Sequence, residues 1–163
     1  MLALRRLINK IEDVMAGIAV AMLVIMTFAI AYSVVMRYFF KMPVPWILEI
    51  TTYFLLYTTF LGAPWLLREN GHVGVDLLLN ALSKKKQSWF NIFTSLIGVI
   101  VSIVLVFFGM EVTIDHFQRQ ILVVNILSTP KYLMLGVIPL SGLFLFVEFF
   151  QKAFDHVNML KHN

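Results

Sequence analysis

Few residues of this chain could do chemistry, and their placement narrows what that chemistry could be. The histidines stand at positions 72, 116, 156 and 162, all outside the long apolar runs. A membrane haem needs histidines within its helices to ligate iron, so a cytochrome b-type role is excluded. Cysteine is absent, which removes disulfides, thiolate nucleophiles and Cys-ligated metals. No HExxH, GxSxG or P-loop spacing occurs. The residues therefore suggest neither an enzyme nor a resident cofactor. One acid, Glu49, stands at the edge of an apolar run, and ionisable groups at membrane depth mark transport paths. It could serve as a proton or cation relay. The preferred expectation is an interfacial carboxylate paired with Arg37 across a short hairpin, because an autonomous pump would bury more polarity than this.

The elements that must position these residues follow from composition. Of 163 residues, 60% are hydrophobic and 13% charged, against about 45–50% and 25% in ordinary globular chains. Only lipid can solvate that much apolar surface. Four runs carry no charge: Val14 to Met36, Ile50 to Leu67, Gln87 to Met110 and Tyr132 to Val147. About 20 helical residues cross a hydrocarbon core of roughly 30 Å. The runs are continuously apolar, unlike the alternating strands of a membrane barrel. The expectation is an all-α membrane protein, a single integral domain over residues 1–163 with helices near 14–36, 45–67, 87–110 and 130–152. The first run has a basic flank and an Ala29-Ile30-Ala31 triplet, but it is too long for a cleavable signal and is expected to stay as a helix.

Lysine and arginine orient the chain. Arg5, Arg6, Lys10, Arg68, Lys84, Lys85, Lys86, Lys152 and Lys161 fall on one side; Arg37, Lys41, Arg119 and Lys131 fall on the other. The richer side is expected to be cytoplasmic, with both termini there. The net charge of +4 is thus a topology signal and does not point to nucleic acid. Between the second and third runs, Val75, Leu78, Leu79 and Leu82 repeat at helical spacing beside Asp76, Asn80 and three lysines. That pattern predicts a short interfacial helix whose lysines meet phospholipid head groups. His72 and Asp76 would share one face of it, or Asp76 would cap it.

Small residues predict helix packing: Gly17 and Ala21 in the first run, and Thr94, Gly98 and Ser102 in the third. Trp46, Trp65 and Trp89 lie close to predicted helix ends and read as interface anchors. Outside the membrane, Lys41, Glu111, Asp115, Arg119 and Lys131 form a mixed-sign set on short connections. Such a set suits transient docking of a soluble protein. The alternative for residues 111–130 is a plain extension of the third helix.

The second run and its exit carry a resemblance. Arg37-Tyr38-Phe39-Phe40, Pro45-Trp46-Ile47-Leu48-Glu49, Phe60-Leu61-Gly62-Ala63 and the stretch from Arg68-Glu69-Asn70-Gly71-His72 to Val73-Gly74-Val75-Asp76 resemble the small, four-helix membrane subunit of tripartite ATP-independent periplasmic (TRAP) transporters. Thr129-Pro130-Lys131 and Pro139 fit the same pattern. Tyr57, where a tryptophan is common, and Pro64 after the Gly-Ala pair depart from it.

The resemblance implies a fixed scaffold in a bacterial inner membrane. Its partners would be a large, elevator-type membrane subunit carrying the substrate and sodium sites and a periplasmic substrate-binding protein. The imported solute would be an organic acid, of dicarboxylate or sialic acid type. The rivals are an autonomous proton-coupled multidrug exporter, which would want a carboxylate deep in the first helix, and an anchor for a respiratory enzyme, disfavoured by the histidine placement.

Overall fold

The computed structural model describes residues 2–69, 84–123 and 126–161, with side chains for 5–69, 90–123 and 126–155. Within them lie five helices: α1 (Leu2–Phe39), α2 (Pro45–Arg68), α3 (Lys84–Gln118), α4 (Lys131–Leu135) and α5 (Val137–Lys161). The last two together make one span, so four segments are long and apolar enough to cross a membrane. The chain is an all-helical membrane protein, as its composition requires. The expected interfacial helix, with His72 and Asp76, lies outside the described residues.

Two helices overshoot their apolar runs. α1 has 38 residues and α3 has 35, about 57 and 52 Å at 1.5 Å per residue, against a core of roughly 30 Å. α3 runs on past Met110, so Glu111, Asp115 and His116 stand on its last turns rather than on a free connection. α1 stops where the chain must turn back within a few residues. Lys41 takes a left-handed backbone (φ 54°), and the Met42 N–H returns to the Met36 carbonyl at 3.1 Å. Pro45 then opens α2 at its first position, where a missing N–H costs nothing. Trp46 and Trp65 mark the two ends of α2, about 28 Å apart along the axis, which matches a hydrocarbon thickness.

The helices form an open series in space. α1 packs on α2, α2 on α5, and α5 on α3, while among the described residues α1 and α3 share no comparable contact. In lipid nothing drives such a series to close, because lipid tails solvate apolar side chains as well as other side chains do. What fixes the neighbours is the buried seam of each helix. On α1 the buried positions Glu12, Met15, Ala19 and Ser33, with half-buried Met22, Met26 and Ala29 between them, recur at alternating steps of three and four. Met15 and Ala19 meet Leu61 and Val137 in the core, with Leu56, Phe60 and Phe144 against them.

The α3–α5 seam depends on missing side chains. A Cβ on Gly98 would collide with the Phe149 ring, and one on Gly142 would lie 3.0 Å from Val106. Ser102, buried beside them, donates to the Gly98 carbonyl at 2.7 Å. Of the expected stripe, Gly98 and Ser102 therefore face α5 of the same chain. Thr94 is exposed, and Ser95 takes the buried position instead. Among the described residues the expected stripe on α1 does not pack: Gly17 and Ala21 are not buried, and a Cβ on Gly17 would meet nothing within 4 Å. The seam phase set by Met15 and Ala19 turns them outward.

Side-chain hydrogen bonds to backbone carbonyls tie α2 to the fourth span. Pro64, inside α2, has no N–H to offer the carbonyl four residues back, that of Phe60. The fully buried Ser141 hydroxyl on α5 donates to that carbonyl at 2.5 Å. The fourth span is interrupted at Gly136, between α4 and α5, and there the Tyr57 hydroxyl donates to the Leu133 carbonyl at 2.6 Å. The two departures from the family pattern, Tyr57 and Pro64, thus sit at two of the hydrogen bonds that join these elements. A coupling is expected. Ser141→Ala should destabilise the fold by about 1 kcal/mol. In a Pro64→Ala background the new backbone N–H at that position can donate to Phe60, and the same change should cost measurably less. Unfolding midpoints in detergent for the four variants test this, and strict additivity would refute it.

Candidate functional site

No carboxylate, lysine or arginine stands in the middle of any span, so the charged side chains gather at the ends of the series. At the end that carries the chain termini, Arg68 closes α2 and reaches across to α1. Its Nη1 donates to the Asn9 carbonyl at 2.9 Å and to Glu12 at 3.2 Å, its Nη2 to Asp13, and its Nε to Glu69 at 3.3 Å. Glu12 is 0% exposed, whereas Asp13 and Glu69 are half in solvent. The Glu12 contact is therefore the one that needs its partner. The second Glu12 oxygen, Oε1, is buried with no partner among the described residues. Glu148 of α5 is also buried, at 4% exposure. Lys152, one turn on, donates to the Leu67 carbonyl and so binds the end of α2 to α5. Arg68 and Lys152 are cations at a helix C-terminus, where the backbone dipole favours them.

Sequence reasoning misses this knot. It reads Arg68 only as a topology charge, and Glu12 lies outside the first uncharged run. One signal is available: Glu12 shares the three-and-four seam of Met15 and Ala19, which places it on the buried face of α1.

At the opposite end stand the residues expected to dock a soluble protein. Glu111, Asp115 and Arg119 lie on the last turns of α3 and beyond, Lys131 opens α4, and Lys41 lies in the α1–α2 link. Asp115 and Arg119 form an exposed i, i+4 pair at 2.7 Å. The Arg37–Glu49 pair is not formed. Both Glu49 oxygens instead accept backbone N–H groups from the turn before α4, Ile126 at 2.9 Å and Leu127 at 3.1 Å. Two adjacent backbone amides thus hold the carboxylate, one on each oxygen, in place of the guanidinium. Arg37 stays exposed on the last turn of α1.

That turn is itself closed. Val123 donates to the Thr129 carbonyl at 2.9 Å and Lys131 to that of Ile121 at 3.0 Å, while Leu122 bridges Pro130. Gln120 and Ser128 supply the left-handed residues (φ 49° and 44°). Ile126 and Leu122 point outward, 66% and 51% exposed.

Among the described residues no group of three or more His, Asp or Glu side chains could share a metal ion. The polar residues tie helices and turns together, and the exposed ones form surfaces.

Comparison with known proteins points the same way. The family model described as "Tripartite ATP-independent periplasmic transporters, DctQ component" matches residues 26–158. A Haemophilus influenzae protein named as a TRAP transporter small permease is 30% identical over 100 residues, which is 61% of this chain and 60% of that protein. The Vibrio cholerae C4-dicarboxylate TRAP transporter small permease protein DctQ is 31% identical over 72 residues, 44% of this chain and 30% of its own length. The matches thus span less than two thirds of either relative.

Proposed function

Since this chain belongs to the DctQ-component family of tripartite ATP-independent periplasmic transporters, we propose that it is the scaffold subunit of one such importer. It is a multi-pass protein of the bacterial inner membrane. In this reading both termini are cytoplasmic, on the side with more lysine and arginine. A large membrane subunit holds the substrate and sodium sites and moves elevator-fashion against this fixed one. A periplasmic binding protein delivers an organic acid to the pair. The family match over residues 26–158 carries the proposal. Spans without ionisable groups in their middles support it, since a chain that moved ions itself would bury such groups along its path. The multidrug-exporter alternative is not favoured: Glu49, its candidate proton site, lies at a helix end and holds two backbone amides of a turn.

The solute is proposed to be a carboxylate. The Vibrio cholerae relative is named for C4-dicarboxylates, which makes succinate the first tracer and N-acetylneuraminate the second. Affinity purification in mild detergent tests the assembly: a much larger hydrophobic subunit should accompany this chain. A chain that purifies alone, and that exports ethidium in proteoliposomes, would refute the scaffold role.

A second expectation concerns docking. The double reversal Asp115→Arg with Arg119→Asp keeps an i, i+4 pair but inverts its polarity. Uptake at limiting binding protein should fall, and excess binding protein should partly restore it, because rim charges govern encounter. An uptake curve that the reversal leaves unmoved would remove this pair from the docking surface.

A further inference from the structure

At the end that carries the termini, the first turns of α1 and the last turns of α5 line an open groove of about 620 Å³, a size usual for small-molecule sites. Phe146, Phe150 and Phe154 recur every four residues along its α5 wall, Gln151 and Asp155 follow one position later, and Arg5 of α1 stands with them. Phe146 and Phe150 stack with ring centroids 6.1 Å apart. The uncharged run of this span ends at Val147. Phe150 and Phe154 therefore lie about 5 and 10 Å beyond it along the helix, at the level of lipid head groups. They are nevertheless 58% and 60% exposed. The polar groups of the groove also lack partners. Gln151 Oε1 is buried with no hydrogen bond among the described residues, and a buried acceptor normally has a donor. Arg5 and Asp155 line the same groove, yet among the described residues neither joins an ion pair.

We propose that this groove binds one phosphatidylethanolamine molecule, with its phosphate on Arg5, its ammonium between Gln151 and Asp155, and an acyl chain along the phenylalanine face. The guanidinium fork suits phosphate oxygens. The ammonium carries three N–H donors, enough for both the unpartnered amide oxygen and the Asp155 carboxylate. The trimethylammonium of phosphatidylcholine carries none. Phosphatidylglycerol offers hydroxyl donors but leaves Asp155 without a counter-charge. A lipid is favoured over a helix of a partner protein because the groove joins a cation, an anion and an apolar wall at head-group level, the parts that a zwitterionic phospholipid presents together.

The test is native mass spectrometry of the full chain released from nanodiscs made of equal parts phosphatidylethanolamine, phosphatidylcholine and phosphatidylglycerol. One phosphatidylethanolamine should stay on the wild-type chain, enriched about tenfold over the other two, the scale of a hydrogen bond to a charged group. Gln151→Leu and Asp155→Asn should each remove most of that enrichment while a phospholipid is still retained. Arg5→Gln should lower retention of all three lipids and keep their order, because all three share the phosphate. Thermal midpoints of the three variants in lipid-free detergent should equal that of wild type, which separates loss of a ligand from loss of the fold.

Equal retention of phosphatidylcholine would overturn the ammonium assignment, and preference for phosphatidylglycerol would overturn the zwitterionic one. Lipid retention unmoved by all three variants would place the lipid elsewhere and sink the site. A second measurement decides between lipid and protein as the occupant. Phe150→benzoylphenylalanine, irradiated in native membranes, should give a lipid adduct on this chain. An adduct with a neighbouring protein in its place would assign the groove to that protein and refute the proposal.

Discussion

Arg68→Ala is expected to be the most damaging single truncation in this chain, costing about 3–5 kcal/mol of stability, the scale for breaking a buried ion pair. The Arg68 side chain is only 16% exposed and that of its partner Glu12 is fully buried. Removing it leaves a carboxylate in a dry place between α1 and α2, with Oε1 already unpartnered among the described residues. The Asp13 and Glu69 contacts contribute little to this cost, because both acids are more than half exposed and solvent screens them. Arg68→Lys should recover only part, since one ammonium cannot reach Asn9, Glu12 and Asp13 from the positions of a planar fork. Glu12→Gln should recover part of the Arg68→Ala loss by removing the stranded charge. The measurement is the yield and thermal midpoint of the purified chain in detergent. A midpoint for Arg68→Ala equal to wild type would show that water already reaches Glu12 and that the knot adds nothing to stability.

Gly98→Leu is the second large effect. Even a methyl group there would overlap three atoms of the Phe149 ring. A leucine forces Phe149 out of its rotamer and pries α3 from α5, at about 3 kcal/mol or more, the upper part of the overpacking range. Gly98→Leu with Phe149→Ala should recover part of that loss by emptying the space the leucine needs. Gly17→Leu is the matched control, because nothing stands within 4 Å of its Cβ position. It should leave the isolated chain unaffected. Equal midpoints for Gly98→Leu and wild type would mean that the α3–α5 seam is looser than its geometry indicates.

Legibility from sequence divides along one line. The number of spans is readable, because hydrocarbon thickness imposes a length and apolarity that composition alone displays, whereas α1 and α3 run on past the apolar stretches that mark them. Pro45 at the head of α2 and the tryptophans at its two ends are readable for the same local reason. Contacts that join distant parts of the chain are not. A short link joins the helices of Arg37 and Glu49, and this proximity suggests a pair. The carboxylate instead finds two amides 77 and 78 residues further on. Arg68 and Glu12 are 56 residues apart, and Ser141 and Phe60 81. The phase of a helix is likewise invisible when every face is apolar. Thr94, Gly98 and Ser102 read as a stripe, yet the buried line passes through Ser95. Gly17 and Ala21 have the spacing of a packing pair and face outward. In lipid the greasier face of a helix no longer marks its buried side, and small or polar residues at a seam must do so.

The order of the helices in space also has a consequence for how the chain is made. Synthesis delivers α1 and α2 as consecutive partners, so that hairpin can assemble as soon as it leaves the insertion machinery. α3 comes next but has no partner yet, because its neighbour is α5. At roughly 5–20 residues per second, the stretch from Gln118 at the end of α3 to Lys161 at the end of α5 takes a few seconds to translate. During that interval α3 waits in the bilayer, its glycine-lined face against acyl chains, until the last span slots between it and α2. Each ribosome therefore leaves a half-built chain whose final step is the insertion of its last helix into the middle. Ser141 and Lys152, the two residues that lock that helix to α2, arrive on it.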